Sequence, residues 1–451
     1  MAKPTDIRIR DARLEIEYLS FRTPLKFGGR VVEHYQVVNV WIDVENRVGD
    51  LGTGLGSMPI GHIWAWPTTL EPDQTQAAMR TLSEVLTREV ATWNDFAHAI
   101  DHGVRLAEIL EKKSADVVVG LNLPEPMPRL ASLVAASPID AAIHDAFGHC
   151  NRANVYQLLG PDHIERDLSH YLSKEFAGEF LDRYTLREPK DAMPLYHLVG
   201  ALDPLSPADI TKPVQDGLPE TLGDWIGFNG LTHLKIKLSG DQMDWDVARV
   251  AAVEQVAVEA QAKRGCVDWH YSLDFNEKCA SVDYVLEFLE RVRFASPQAL
   301  DRVQYIEQPT HRDLKTRGTS IEKAARIKPV VIDESLVDYE SLLLARELGY
   351  TGVALKACKG QTESLLMAAA AQKFGMFLCV QDLTCPGASF LHSAGLAARI
   401  PGIAAIEGNG RQYCPAGNTL WEEDFPSMFL ITRGTIGTHC LTRDGLGHTS
   451  T

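Results

Sequence analysis

No CxxC pair occurs among the eight cysteines of this 451-residue sequence, which stand singly at Cys150, Cys266, Cys279, Cys358, Cys379, Cys385, Cys414 and Cys440. Scattered in this way they make neither a disulfide framework nor a thiolate metal site. Several sit in apolar runs such as Phe377-Leu378-Cys379-Val380, where a reduced cysteine behaves as a small hydrophobe. No apolar stretch reaches the ~18 residues of a membrane span. The opening residues, Met1-Ala2-Lys3-Pro4-Thr5-Asp6, lack the apolar core of a secretion signal, so a reduced, soluble, cytoplasmic protein is expected. There is no basic run either: 44 Lys and Arg face 60 Asp and Glu, for a net charge of −16. A duplex-binding protein carries a basic face, so nucleic acid is excluded as the main partner, while a small anion in a locally positive pocket is not. No glycine-rich GxGxxG follows a strand, which argues against a dinucleotide-binding sheet. Low-complexity segments are absent as well.

The composition is that of an ordinary globular protein, with 45% hydrophobic and 23% charged residues. At roughly 150 residues per domain the length suits three domains, or one large α/β barrel with something smaller. The first part reads as α+β. Ile7 to Ser20 alternates in part, and Tyr35 to Val44 is rich in β-branched residues. Pro24 to Gly29 reads as a turn-bearing loop and Gly49 to Gly56 as a second, glycine-rich loop leading into His62-Ile63-Trp64-Ala65-Trp66-Pro67. Helical periodicity runs from Asp73 to Lys113, and Ser137-Pro138-Ile139-Asp140 reads as the start of a further helix, with serine at the N-cap and proline in the first turn.

From about Met193 the rhythm changes. Eight short β-rich segments recur, each followed by an amphipathic stretch: Leu195 to Val199, Leu234 to Leu238, Trp269 to Asp274, Val303 to Glu307, Val330 to Asp333, Gly352 to Lys356, Met376 to Val380 and Ile403 to Glu407. Eight βα units predict a closed TIM-type (β/α) barrel of seven to eight strands, with an α+β cap at the N-terminal side. Gly200 to Asn229, rich in Pro, Asp and Gly, reads as an insertion after the first strand. The predicted division is residues 1–160 for the cap, 161–418 for the barrel and 419–451 for a segment that returns to the cap.

Charge falls where these strands end, and in a parallel barrel those ends converge on one mouth. Lys235 and Lys237 are two apart and so share a strand face. Asp274, Glu307 and Asp333 each end a hydrophobic run at steps of 33 and 26 residues, and Lys356 follows after 23 more, each about one βα unit. Three carboxylates at one mouth repel unless neutralised, and a hard divalent cation with oxygen ligands answers that need. No His/Cys cluster offers a softer metal a better home: His144, His149, His270 and His392 show no ligand spacing. Lysines beside such a cation have reason to titrate low enough to move protons, and the chemistry implied is removal of a proton next to a carboxylate.

As an ordered set, Lys235-Ile236-Lys237, Leu273-Asp274-Phe275-Asn276-Glu277, Ile306-Glu307-Gln308-Pro309, Ile332-Asp333-Glu334-Ser335 and Leu355-Lys356 resemble the successive strand-end motifs of the enolase superfamily. They are nearest to its muconate lactonising and mandelate racemase branch. Ser137 to Asp145 and Leu158-Leu159-Gly160 resemble the helix that ends that family's capping domain. Sites of this superfamily use a Lys or His base with Mg²⁺. The resemblance implies that Asp274, Glu307 and Asp333 hold one Mg²⁺ (or Mn²⁺), with Glu334 behind them, bonded to a lysine, and Asn276 in a similar supporting place. It makes Lys237 and Lys356 acid/bases on opposite faces of an enolate. Lys235 would lower the pKa of Lys237 and touch the substrate carboxylate. Loops from Pro24 to Arg30 and Gly52 to Trp66 would close over the mouth, with Lys26, His62, Trp64 and, from the barrel, Asp382 as substrate contacts. The His-Asp dyad of the mandelate racemase type is absent, since the seventh strand leads into Gln381-Asp382, and the lysines favour the muconate lactonising pattern.

Blander accounts exist for each feature: three unrelated salt-bridged carboxylates, a solvated lysine face at residues 235 and 237, an ordinary strand-end Lys356, aromatic packing at Trp64 and Trp66, strand-end caps at Asp382 and Glu407. Lys359 reads as ordinary and solvated. The expected protein is an Mg²⁺-dependent isomerase or lyase that abstracts an α-proton from a small carboxylate and then epimerises, racemises or cycloisomerises it. An acid-sugar dehydratase is the alternative on the same scaffold. A Schiff-base lysine lyase or aldolase and a non-catalytic binding protein stand further off. The expected partners are that substrate and further copies of the chain in a homo-oligomer, with neither nucleic acid nor membrane.

Overall fold

The computed structural model describes residues 2–27 and 30–448. Three antiparallel strands open the chain: β1 (Ile7–Phe27), β2 (Arg30–Asn46) and β3 (Leu51–Pro59), in the order β1-β2-β3. The stretch expected to be a turn-bearing loop is therefore strand up to Phe27, with Leu25 facing Val32 and Lys26 facing Val31 across a long hairpin. Gly28 and Gly29 lie outside the described residues. The second glycine-rich stretch is also strand rather than loop. Its glycines are there for contact, because β3 lies directly on a helix: a Cβ at Gly54 would stand 2.1 Å from Ala146 N, and one at Gly56 1.7 Å from Pro138 O.

That helix is the last of four in the cap, α1 (His62–Ala65), α2 (Pro72–Val90), α3 (Ala99–Gly120) and α4 (Arg129–Cys150). The helical run expected from Asp73 to Lys113 is thus two helices. Pro138 sits in the middle of α4, not in its first turn. A proline there removes one backbone donor, and the hydroxyl of Ser137 replaces it by donating to the carbonyl of Val134 at 2.9 Å. Nearly every α4 residue is buried, since the helix runs between the cap sheet, α3 and the barrel.

The barrel has the eight parallel strands read from the sequence: β4 (Ala192–Val199), β5 (His233–Lys237), β6 (His270–Asp274), β7 (Val303–Glu307), β8 (Val330–Ile332), β9 (Gly352–Leu355), β10 (Phe377–Val380) and β11 (Ile403–Glu407). They pair in order, and β11 closes on β4 through Ile406–Leu195 and Glu407–Tyr196. Both faces are covered, so these strands are short apolar runs rather than alternating ones. Inside, Tyr196, Tyr305, Val331, Ala354, Cys379 and Ala405 fill the lumen and make a floor for the charged layer above. The segment expected as a 200–229 insertion is shorter than that, because Leu222–Asn229 is the helix of the first βα unit. The C-terminal stretch adds β12 (Thr435–Gly437) antiparallel to the start of β4, then runs beside α4, where Leu446 N donates to Asp145. Among the described residues no helix is long and apolar enough to cross a membrane.

One buried acid joins cap to barrel. Asp140 in α4 accepts from the backbone N–H (2.7 Å) and the hydroxyl (2.8 Å) of Thr362, at the start of the helix Gln361–Lys373. Burial nevertheless pushes its carboxyl up from 3.8 to about 6. The folded protein therefore binds this proton more tightly than the unfolded chain, so stability falls as pH rises between those values. A shift of that size is worth on the order of 3 kcal/mol. The urea-derived stability of Asp140→Asn relative to the parent is accordingly expected to rise by that amount between pH 3.5 and pH 7.5. A difference that stays flat with pH would mean that the Asp140 charge is already fully compensated by Thr362.

Candidate active site

Parallel register sets the charged side chains level with one another. Lys237 lies opposite Asp274, and Asp274 opposite Glu307, while Asp333 follows directly after β8 and Lys356 directly after β9. All of these point to the C-terminal mouth and all are buried. The cleft they form is also lined by Asp382, Leu383, Thr384, Glu407, Asn409 and, from the cap, Trp64.

The charges are arranged as alternating pairs. Lys235, 2% exposed, reaches Asp274 at 3.2 Å, Glu307 at 2.9 Å and Glu407 at 2.9 Å. Lys237 donates to Asp274. Lys356 lies 2.8 Å from Asp333, and Lys359 donates to the same residue through its carbonyl (2.5 Å) and carboxylate (3.1 Å). Gln381 donates to Glu307. Burial works against the charge of Lys235 and Lys356, yet Glu307 and Glu407 around the first and Asp333 beside the second hold both above the ordinary lysine range. Asp274 and Asp333 are correspondingly held well below the usual carboxylate range, since the nearby ammonium groups outweigh burial. Glu307 goes the other way: burial, with Asp274 beside it, pushes it well up.

A second acidic pair stands across the cleft. Asp382 accepts from the backbone N–H groups of Cys385 (3.1 Å) and Asn409 (3.0 Å), and Glu407 accepts from the Asn409 amide at 2.5 Å. Burial and the neighbouring Glu407 raise Asp382 to about 7. Both acids, open to a strand-end-cap account from sequence, therefore face the site.

The cap contributes α1 as a cover. The Trp64 ring lies 4.3 Å from the Lys356 ammonium, and its indole N–H donates to Glu334 at 3.0 Å. Glu334 was expected to bond a lysine; its second oxygen has no hydrogen-bond partner, and burial with Asp333 alongside raises the group to about 7. Arg312, paired with Glu277 at 2.6 Å, donates to the carbonyls of Trp64 (3.0 Å) and Ala65 (3.4 Å) and so ties α1 to the barrel. With the cover in this position the cleft has a free volume of about 10 Å³. His62 is turned aside, bonded to Thr75 at 2.9 Å, and burial lowers it to about 4. Asn276 takes its place through the backbone, its N–H donating to Asp274 at 2.8 Å from a left-handed conformation (φ 46°). Lys26 is exposed on the hairpin and does not line the cleft.

The residues missed from sequence are Lys359, Gln381, Asn409 and Arg312. Lys359 is buried, not solvated. Gln381 carried a legible signal, the place directly after a strand that Asp333 and Lys356 share; Lys359, in the turn beyond Lys356, and Arg312, in a loop, carried none.

Three carboxylates with no sulfur or imidazole among them suit a hard divalent cation. Here their oxygens turn to ammonium groups, and among the described residues no three His, Cys, Asp or Glu side chains are grouped closely enough to hold an ion. The donor chemistry fits Mg²⁺, provided Lys235, Lys237 and Lys356 turn aside from the oxygens they now occupy.

Residues 222–449 match the family described as enolase C-terminal domain-like. No curated protein matches the chain. Solved structures share the fold. Muconate lactonizing enzyme from Pseudomonas fluorescens, in complex with muconolactone, is 17% identical over 98% of this chain and 96% of its own, with a TM-score of 0.60. A dipeptide epimerase from Enterococcus faecalis V583, complexed with Mg and the dipeptide L-Leu-L-Tyr, is 16% identical over 98% and 99%, with a TM-score of 0.61. The L-Ala-D/L-Glu epimerase of Bacillus subtilis is 15% identical over 98% of each chain, at 0.64.

Proposed function

Because the chain belongs to the enolase superfamily, in its muconate lactonising and mandelate racemase branch, we propose that it removes the proton α to the carboxylate of a small substrate and delivers a proton back to the same carbon. The reaction is a racemisation or epimerisation. The observation that carries this reading is the entry of two lysines, Lys237 from β5 and Lys356 after β9, into one closed cleft. A reaction that takes a proton from one face and returns it to the other needs a base and an acid of matched strength on opposite sides, and two lysines supply them.

Asp274, Glu307 and Asp333 would hold the Mg²⁺, which supplies the positive charge that stabilises an enolate when bound. Lys235, between Asp274, Glu307 and Glu407, fixes the positions of all three acids and presents positive charge to the substrate carboxylate. Trp64 shuts water out above Lys356 and holds Glu334 in place. Lys359 anchors Asp333 from behind. Proteins of the same fold include epimerases and a racemase, some with Mg bound, and this is in keeping with the proposal.

A second reading has its own observation. Dehydration needs an acid for the departing hydroxyl, and Asp382 lines the cleft with its carboxyl pushed up by burial and the neighbouring Glu407.

The test is ¹H NMR in D₂O with Mg²⁺ over a panel of dipeptides, acid sugars and lactone precursors. Loss of an α-proton signal with growth of the other stereoisomer is expected for at least one acid, and EDTA is expected to stop it. Formation of an unsaturated or keto acid instead would favour the dehydratase. A lysine adduct trapped by borohydride, or exchange unaffected by EDTA, would overturn the metal-assisted reading.

A further inference from the structure

A cavity of about 470 Å³ opens between cap and barrel, with α3 and α4 on one side and residues 338–340 and the helix Gln361–Lys373 on the other. It shares no lining residue with the catalytic cleft. Its buried end is the turn after β9. There Gly103 and Gly360 let α3 and the turn close on Asp140 and Thr362: a Cβ at residue 103 would stand 2.0 Å from the Thr362 hydroxyl, and one at residue 360 would stand 3.0 Å from the Asp140 carboxylate. Beyond that contact the elements part, leaving a volume within the range of small-molecule sites.

Its charges are one-sided. Glu108, Asp140, Asp338, Glu340 and Glu363 line it, against Arg129 and Lys359. Both cations are spent elsewhere. Lys359 donates to Asp333 (carboxylate 3.1 Å), and Arg129 donates to the carbonyl of Ala107 at 2.9 Å. Asp140 is taken by Thr362, and Asp338 accepts from Ser341 N at 2.7 Å. Glu363 accepts no hydrogen bond and makes no close ion pair. Burial pushes its carboxyl up to about 7, which Arg129 only partly offsets.

These acids are spread along the cavity. Among the described residues no three acids, histidines or cysteines are grouped closely enough to hold a metal ion. Asp140 is buried and Glu363 half-buried, whereas Glu108 and Glu340 are exposed at the mouth. Much of the remaining wall is aliphatic, with Val104, Ala107, Leu133, Ala136, Leu366 and Met367. A metal ion lacks the reach to answer separated acids, and an anion is repelled by them. An aliphatic chain with ammonium groups set apart along it satisfies both the acids and the wall.

We propose that this cavity is a binding site for a linear aliphatic diamine or polyamine. One ammonium meets Glu363, the methylene chain lies on Ala107, Leu133 and Met367, and a second ammonium meets Glu108 and Glu340 at the mouth. The site lies against the turn that carries Lys356 and Lys359, yet it does not depend on the reaction proposed for the cleft.

Calorimetric titration of the full chain with 1,5-diaminopentane, spermidine, 1-aminopentane and 1-pentanol tests it without requiring turnover. At least one of the two polyvalent amines is expected to bind once per chain, about fivefold or more tightly than 1-aminopentane, with no binding of the alcohol. Glu363→Gln is expected to weaken that binding by about tenfold or more. Because the substitution removes an acid without a partner, its urea midpoint is expected to stay at or above that of the parent. Ala107→Trp, which fills the cavity from α3, is expected to abolish binding. Failure of both amines to bind overturns the site, as does equal affinity for 1-aminopentane. Binding that is unchanged in Glu363→Gln also overturns it, since the strand-end acids or general attraction to a chain of net charge −16 would give that result.

Discussion

Alanine in place of Lys356, or of Lys237, is expected to slow stereoinversion by about 10²–10⁴-fold, the usual contribution of a positioned acid or base, while sparing exchange on one face. Each lysine serves one stereoisomer as base and the other as acid. With Lys356 removed, the isomer whose α-proton faces Lys237 still loses it to that lysine and regains a solvent-derived deuteron on the same side. Its mirror or epimeric form has no base and stays protonated. Lys237→Ala must show the complementary pattern. The measurement is deuterium incorporation into each separated stereoisomer, with KM followed in parallel. If one variant loses all exchange and the other keeps that of the parent, a single lysine does the chemistry, and cycloisomerisation on one face replaces epimerisation. The starting arrangement also says what must happen first. Lys356 lies 2.8 Å from Asp333 and 4.3 Å from the Trp64 ring, and both contacts favour its charged form. A base must be neutral, so Trp64→Ala, by removing one of those contacts, is expected to shift the low-pH limb of the rate profile downward.

The barrel and its charged mouth were legible for one physical reason. Strands covered on both faces have to be short apolar runs, so a charged residue ending such a run stands out, and eight of them at βα spacing leave few other architectures. Asp274, Glu307, Asp333, Lys235, Lys237 and Lys356 were all found by that rule. Where local signals were read without their tertiary partners, they misled. Ser137-Pro138 has the composition of a helix start, yet the hydroxyl of Ser137 satisfies the carbonyl that Pro138 leaves open, and α4 continues through. Glycine at 52, 54 and 56 suggests a loop until α4 is seen lying against it. Lys359 looked solvated because Asp333, its partner, is 26 residues away in sequence. Lys26 was grouped with the cover by sequence position alone, whereas an alternating hairpin turns it outward. Membership of a closed cleft depends on which face a residue presents, and that is decided by packing that a linear pattern does not contain.

Lys235→Met is expected to destabilise the protein by about 3–5 kcal/mol at pH 8 in the absence of divalent cations, a large share of a normal folding free energy of about 5–15 kcal/mol. The side chain is buried and its ammonium lies between Asp274, Glu307 and Glu407. Methionine matches its length and packs in its place, so the loss isolates charge from volume. Three acids then face each other in a dry layer above the aromatic floor of the barrel, and each removed counter-charge leaves a desolvated carboxylate uncompensated. The pH dependence has a definite sign. Burial already raises Glu307, and without Lys235 it must rise further, so the folded variant holds a proton that the unfolded chain releases. The deficit therefore shrinks as pH falls and grows as pH rises, whereas a purely steric defect would leave it constant with pH. Urea midpoints for parent and variant at pH 5.5 and pH 8 measure it. A cation on the same acids is expected to restore what the ammonium supplied, so Mg²⁺ should raise the midpoint of Lys235→Met more than that of the parent, through preferential binding to the folded state. A variant as stable as the parent at pH 8 would mean that water or rearranged neighbours carry the charge of Asp274, Glu307 and Glu407. Equal response of both proteins to Mg²⁺ would mean that Lys235 and the cation do not compete for the same acids.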